Sequence, residues 1–327
     1  MKNMITIPPI SPSTEFCGRW EINEDKAATT ACGSSLRVAF KGMTALICFD
    51  VSDNKIPLPH VYLSVDGGAM IECAVDNFIR VWADSDGEHE VTVIMKSSLE
   101  WQDRWNDPVA KVVYLGVADA VAAPLREDPR PVIEFVGDSI SEGTSVYPEL
   151  AIYTDHRWEE TLVWTNDIAS SYSWNTARLL GMKGVFLAYG GSGVSVTGCG
   201  NVPPSPVAFG YIRAGVPYEG RADVVVINHG ANDRGSTAEE FVKGYKALLD
   251  QVVSKRPDAR IFSVAPFPET HPGYLPQLIE EYNRENSTDI IYIDTAGWVP
   301  PEPLHPPRAP HMAAAENLAK IMKEYLS

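Results

Sequence analysis

Hydrophobic and polar positions change their pattern near residue 120 of the 327-residue chain. Before that point, short runs of alternating or β-branched residues recur between turn residues, with almost no helical period. These runs are SLRVAFKG, TALICFDV, HVYLSVDGG, FIRVWADSDG, HEVTVIMK and KVVYLGV. Strands spaced in this way predict an all-β, jelly-roll-like antiparallel sandwich over residues 1–122.

The second half alternates strand-like runs with helix-like segments. The strand-like runs are PVIEFVG, GVFLAYG, ADVVVINHG, ARIFSVAP and DIIYIDT, and the helical patterns lie around 168–181, 238–255, 274–286 and 311–325. This alternation predicts an α/β domain over residues 132–327, with a flavodoxin-like, doubly wound, five-stranded parallel sheet in the order 2-1-3-4-5. The polar, proline-bearing residues 123–131 are predicted to link the two domains.

Composition narrows the possible partners and the setting. The net charge of 27 − 43 = −16 argues against nucleic acid and anionic membranes as partners, and no apolar stretch is long enough to span a bilayer. The N-terminal residues reach prolines before a signal peptide could form its apolar region. Five cysteines without CxxC spacing indicate reduced thiols and a cytoplasmic setting. A neutral or cationic partner is easier to accommodate, no metal or cofactor is expected, and a homo-oligomer is possible.

Unusual polar or glycine-rich turns follow the predicted parallel strands. In an open α/β sheet, functional groups gather beyond the carboxyl ends of the strands. If the predicted strand order holds, the turns after strands one, two, three and five lie on one rim; they contain GDS at 137–139, GGSG at 190–193, GAND at 230–233 and PPEPLHPPRAPH at 300–311. The sequence therefore predicts a site assembled from four separate turns.

These four blocks resemble those of the SGNH hydrolases, also called the GDSL family of esterases and lipases. The resemblance covers residues 131–327 and makes Ser139 of the GDS block the nucleophile. The second block lacks its usual leading asparagine, with Gly193 as the counterpart of the oxyanion-hole glycine and Gly191 as the alternative. The GAND block makes Asn232 the side-chain donor of an oxyanion hole that also includes the N–H of Ser139.

The fourth block, EPLHP, makes His305 the catalytic base. Glu302 stands where the family usually has aspartate, and its longer side chain can still orient His305. A backbone carbonyl can do so instead, since some relatives with a β-sandwich in front are described as Ser-His dyads. Asp294 is a weaker third candidate, and His311 suits a supporting or capping role at the start of the last helix.

Acyl transfer explains why these residue types are needed together. A serine hydroxyl is a poor nucleophile at neutral pH, so it needs a neutral imidazole within hydrogen-bond reach to accept its proton. The oxyanion that forms needs N–H donors that already point at it. Taken alone, Ser139 fits a helix N-cap as well as a nucleophile, and Asn232 fits an ordinary turn. The ordered set of blocks favours the catalytic interpretation.

A sandwich in front of such a domain resembles carbohydrate esterase family two and its acetyl xylan esterase-like members. This narrower resemblance implies hydrolysis of O-acetyl groups on xylo- or other oligosaccharides through an acyl-enzyme. We expect the substrate to contact Asp138, Gly191, Trp158 and Trp164, the tryptophans belonging to an aromatic-rich insertion over 147–174. Asp138 also suits a structural role in its turn, and Trp164 also suits a core anchor.

Three other functions stay open at this point. A lipase or lysophospholipase would use the same blocks with a longer acyl groove. A metallophosphoesterase would need spaced Asp and His ligands, which are not evident, and would be inactivated by EDTA. A non-catalytic carbohydrate-binding protein on a degenerate hydrolase scaffold would bind without turnover.

Overall fold

A computed structural model describes residues 4–151, 162–267 and 273–326. Its first part is built from short antiparallel strands. Their bounds are β1 (Ile5–Ile7), β2 (Thr14–Cys17), β3 (Glu21–Ile22), β4 (Ala27–Thr29), β5 (Ser35–Lys41), β6 (Thr44–Phe49), β7 (His60–Val65), β8 (Ile71–Ala74), β9 (Phe78–Trp82), β10 (Glu88–Ser97), β11 (Val112–Ala118) and β12 (Val121–Ala122).

These strands form two antiparallel sheets that share one apolar core. One sheet has the order β3-β4-β11-β6-β9, with β1 paired to β11, and the other has β12-β5-β10-β7-β8, with β2 paired to β5. Alternate residues of β10 such as Val91, Val93 and Met95 are buried in that core. This alternation is what one covered sheet face requires, and the predicted antiparallel sandwich is confirmed.

The second part is a parallel sheet with helices. The bounds are β13 (Val132–Gly137), α1 (Ser139–Glu142), α2 (Leu162–Thr165), α3 (Tyr172–Leu179), β14 (Lys183–Ala188), α4 (Ser205–Ala208), β15 (Tyr211–Arg213), β16 (Val216–Pro217), β17 (Val224–Ile227), α5 (Ala238–Lys255), β18 (Arg260–Val264), α6 (Tyr274–Asn286), β19 (Ile291–Ile293) and α7 (Arg308–Leu326).

The strand order β14-β13-β17-β18-β19 confirms the predicted 2-1-3-4-5 arrangement. Every residue of β17 is buried, as expected for a parallel strand with helices on both faces. The small antiparallel hairpin β15-β16 between β14 and β17 was not predicted. Among the described residues, none of the helices combines the length and apolar character that a bilayer span needs.

The two parts are packed closely on each other. One core cluster contains buried side chains from both, including Leu36 and Phe186, and a Cβ placed on Gly33 would overlap the Phe186 ring. The segment between Ala122 and Val132 is also held, because Lys183 Nζ donates to Asp128 O at 2.9 Å. The predicted linker is therefore hydrogen-bonded to the second half, although most of its residues are exposed.

A buried charged triad crosses this interface. Glu134 on β13 accepts from Arg19 Nη2 and from Arg256 Nε, each at 2.8 Å. All three side chains are at most 3% exposed. Because isolated charges are costly to bury, the two arginines depend on the Glu134 carboxylate.

We expect Glu134→Gln to lower the free energy of unfolding by about 3–5 kcal/mol, since it leaves two buried guanidinium groups without their counter-charge. Denaturant titration of the two proteins measures this difference. Glu285→Gln removes the carboxylate of an exposed pair with Lys246 and is the matched control, expected to change stability by less than about 1 kcal/mol. Equal effects of the two substitutions would contradict the role of the triad.

Candidate active site

The chain turns sharply from strand to helix at the GDS block. Asp138 is the N-cap of α1, and its Oδ1 accepts the Ile140 N–H at 2.9 Å. A Cβ at Gly137 would overlap Ser141 Oγ, so this turn requires glycine. Ser139 is the first residue of the helix and its hydroxyl is not used as a cap. The alternative role of Ser139 as an N-cap is therefore wrong.

The Ser139 hydroxyl meets His305 on the rim of the sheet. His305 Nε2 lies 2.8 Å from Ser139 Oγ, although the two residues are 166 positions apart in the sequence. His305 lies in the loop before α7, and its burial lowers the pKa of the imidazole from its ordinary value of 6.5. The ring is therefore mostly neutral at pH 7 and can accept the serine proton.

The expected contact between Glu302 and His305 is not found. The Glu302 side chain is exposed and forms no hydrogen bond or ion pair with any residue that the structure describes. Asp294 instead accepts the Ala296 N–H at 3.1 Å within its own turn. Within the described ranges, His305 Nδ1 also has no hydrogen-bond partner. Neither Glu302 nor the alternative, a backbone carbonyl, therefore orients His305 among the described residues, and the predicted role of Glu302 is corrected.

Two of the predicted oxyanion donors have N–H groups available. The Ser139 N–H lies at the start of α1, where it has no partner within the helix, and it bonds to no other described residue. Asn232 follows β17, and its Nδ2 donates to Ser192 O at 2.9 Å. Because an amide nitrogen carries two N–H groups, Asn232 keeps a second one for a ligand.

The glycine N–H that is free to serve the oxyanion hole is not the one first predicted from the sequence. The Gly193 N–H donates to Val196 O at 3.2 Å, and a Cβ at Gly193 would lie 2.6 Å from Asp233 Oδ1. Gly191 has φ +71°, and its N–H bonds to no residue in the described part of the chain. The geometry therefore favours Gly191, the alternative, as the backbone donor, and gives Gly193 a packing role.

Asp233 has a structural role that the sequence reasoning missed. Its buried carboxylate accepts the Val194 N–H at 3.1 Å, the Ser195 N–H at 2.8 Å and the Ser195 hydroxyl at 2.6 Å. It thereby fixes the turn after β14 to the turn after β17. The sequence signals this role only by an aspartate directly after Asn232. Because Asn-Asp is a common turn dipeptide, the pair was interpreted as an ordinary turn.

The four expected substrate contacts have different outcomes. Asp138 is fully buried and burial raises its pKa to about 7, so it supports the turn and cannot touch a substrate. Trp164 on α2 is 49% exposed, and its ring centroid lies 4.1 Å from that of His60. Gly191 lies in the turn described above. Trp158 lies outside the described residues.

Two other histidines near the rim, His311 and His229, are buried away from solvent. His311 is buried, accepts the Tyr172 N–H through Nδ1 at 3.1 Å, and has its pKa lowered to about 3 by burial, consistent with the expected supporting role. His229 Nε2 lies 2.6 Å from Ser205 Oγ, which forms a second Ser-His pair. Both of these residues are at most 1% exposed, so that pair cannot meet a substrate.

Known proteins resemble both the chain and its fold. The chain is 25% identical over 352 residues to the "Cellulase/esterase CelE" of Acetivibrio thermocellus; the match covers 97% of the chain but spans only 40% of that relative's length. A family two carbohydrate esterase from Clostridium thermocellum, solved with cellohexaose, has a TM-score of 0.75 at 21% identity, covering 96% of this chain and 99% of that one.

The acetyl xylan esterase Est2A from the rumen bacterium Butyrivibrio proteoclasticus has a TM-score of 0.77 at 17% identity, covering 97% of this chain and 96% of that one. At these identities, the two solved structures show a shared fold. The model of the GDSL-like Lipase/Acylhydrolase family matches residues 135–315, which include all four blocks of the rim. The chain therefore belongs to the GDSL-like lipase/acylhydrolase family.

Proposed function

We propose that the protein is a serine esterase that removes short acyl groups, above all O-acetyl groups on xylo- or other oligosaccharides, through an acyl-enzyme. The observation that carries the proposal is the 2.8 Å hydrogen bond between Ser139 Oγ and His305 Nε2. It joins a nucleophile at a helix start to a neutral base; the N–H of Ser139 itself and those of Gly191 and Asn232 on two neighbouring turns are the proposed oxyanion donors.

In the first step, Ser139 Oγ attacks the ester carbonyl carbon while His305 Nε2 takes the hydroxyl proton. The carbonyl oxygen becomes an oxyanion that accepts hydrogen bonds from the N–H groups of Ser139, Gly191 and Asn232. The intermediate collapses, the C–O bond to the alcohol breaks, and His305 returns its proton to the leaving oxygen. In the second step, water repeats the sequence on the acyl-serine and releases the acid.

Among the residues that the structure describes, no carboxylate contacts His305. The base must be neutral before attack, and burial favours that state because it disfavours the charged imidazolium. The same burial makes the imidazolium of the intermediate costly, so the oxyanion hydrogen bonds carry more of the stabilisation. A Ser-His dyad is thus the interpretation that the geometry supports.

The sugar ester is supported by charge, by an exposed aromatic ring and by the relatives. A net charge of −16 disfavours anionic lipid headgroups and leaves a neutral saccharide acceptable. Trp164 offers a half-exposed ring on α2. The structural relatives include a family two carbohydrate esterase and an acetyl xylan esterase. Hydrolysis of sugar acetates is therefore our proposal over a lipase-type reaction.

The cellular location and the oligomeric state of the protein stay predictions. The five cysteines are free thiols, which suits the cytoplasmic location that we propose. A homo-oligomer also stays open.

Ser139→Ala is expected to lower kcat/KM for p-nitrophenyl acetate by a factor on the order of 10⁴ to 10⁶ and to abolish labelling by a fluorophosphonate. Ser205→Ala is the matched control, because it alters the buried Ser-His pair and should keep the label. Mass spectrometry locates the adduct. Activity that survives in Ser139→Ala, or a label on Ser205, would overturn the assignment.

Glu302→Ala should keep nearly full kcat/KM, because this carboxylate does not contact His305. Activity in both proteins should fall as the pH drops through the pKa of His305, and the midpoint should lie below 6.5 because burial lowers that pKa. pH–rate profiles for the two proteins test this, with His305→Ala as the inactive reference. A large loss in Glu302→Ala, or a shifted midpoint, would restore the triad.

A substrate panel separates the proposed function from its alternatives. We expect acetylated xylo-oligosaccharides and p-nitrophenyl acetate to be hydrolysed faster than octanoate or palmitate esters, and we expect EDTA to leave the rate unchanged. A preference for long acyl chains would favour a lipase. Loss of activity in EDTA would favour a metallophosphoesterase, and sugar binding without turnover would favour a binding protein.

A further inference from the structure

A buried charged cluster lies beside the two turns that carry the proposed reaction. Its members are Glu100 and Arg104 from the segment after β10, and Glu142 at the end of α1, with exposures of 6%, 0% and 3%. Arg104 Nη1 forms a short ion pair with Glu142 Oε1, and its Nη2 lies 3.5 Å from Oε2. The catalytic steps described above use none of these three side chains.

Glu142 joins the helix of the nucleophile to the turn of the oxyanion donor. It lies three residues after Ser139, and its Oε2 accepts the Gly190 N–H at 3.0 Å. The Gly190 carbonyl in turn accepts the Cys199 N–H at 2.8 Å. Because that carbonyl and the Gly191 N–H belong to one planar trans peptide, fixing the carbonyl also fixes the direction of the Gly191 N–H.

The first half of the chain holds this turn from the other side. Glu100 Oε1 accepts the Thr144 hydroxyl at 2.5 Å, and a Cβ at Gly190 would lie 2.5 Å from Glu100 Cδ. The Arg104 N–H donates to Gly200 O at 3.0 Å, next to Cys199. Side chains and backbone from both halves thus enclose the turn. The space at position 190 is too small for any residue larger than glycine.

The charge balance of the cluster suits this arrangement. Arg104 neutralises Glu142, while burial, with the nearby Glu142 carboxylate adding to it, raises the pKa of Glu100 to about 7. Glu100 is therefore largely protonated below neutral pH, and the cluster then holds no carboxylate without a counter-charge. An unpaired carboxylate beside a developing oxyanion would oppose its formation.

We propose that Glu142, held by Arg104, is a positioning residue for the esterase reaction: it fixes the Gly190–Gly191 turn so that the Gly191 N–H meets the oxyanion. This inference rests on the proposed function. It also means that the β-sandwich helps to position the active site, because Arg104 and Glu100 belong to the first half of the chain.

The test compares Glu142→Gln with Glu134→Gln. Both substitutions neutralise a buried carboxylate that faces arginine across the two halves, but only Glu142 contacts the turn. The amide that replaces the Glu142 carboxylate has one oxygen for two donors, Arg104 and Gly190. We expect kcat for p-nitrophenyl acetate to fall about 10- to 100-fold in Glu142→Gln with KM nearly unchanged, and to stay near the wild-type value in Glu134→Gln.

Active sites are counted by endpoint labelling with a fluorophosphonate, so any unfolded fraction lowers the count and not kcat. Glu142→Ala is the second variant and should lower kcat further, because it offers the Gly190 N–H no acceptor. Wild-type kcat per labelled site in both Glu142 variants, or an equal loss in Glu134→Gln, would overturn the positioning role. Failure of the proposed function appears differently, as a wild-type protein that neither turns over nor takes the label.

Discussion

The hydrogen bond between Ser139 Oγ and His305 Nε2 constrains the whole second half of the structure. A contact of 2.8 Å between residues 166 positions apart requires the first parallel strand and the loop before the last helix to end on the same rim. The sheet provides this, because its five strands are all parallel, so the loop that follows β19 and carries His305 leaves the sheet at the same edge as the turn after β13. Gly137 then turns the chain sharply enough for Ser139 to begin a helix at that edge.

The interface between the two halves is part of the same construction. Two buried clusters cross it, one around Glu134 with Arg19 and Arg256, the other around Glu142 with Arg104. Buried charges stabilise little in net terms, yet each is costly to leave without its partner, so they specify how the halves dock. The first cluster secures the strand that leads to Ser139, and the second reaches the turns themselves. The sandwich is therefore a structural support of the site.

Periodicity in the sequence predicted the five parallel strands and the longer strands of the sandwich, because buried strands require a regular spacing of apolar residues. It also predicted that Ser139, Asn232 and His305 would share a rim. It missed short strands such as the β15-β16 hairpin. The direction of individual N–H groups could not be predicted, because the Gly193 N–H is taken up by Val196, which lies outside the GGSG turn, while the Gly191 N–H is not. Nor could the roles of Glu100 and Arg104, whose partners Thr144 and Glu142 lie 44 and 38 residues further along.

A crystal structure of the fluorophosphonate adduct tests the central claim most directly, because its phosphoryl oxygen occupies the place of the oxyanion. The account predicts phosphorus bonded to Ser139 Oγ, with that oxygen within hydrogen-bond distance of the N–H groups of Ser139, Gly191 and Asn232. An adduct whose oxygen is held by the Gly193 N–H instead, or one that leaves His305 away from Ser139, would contradict it.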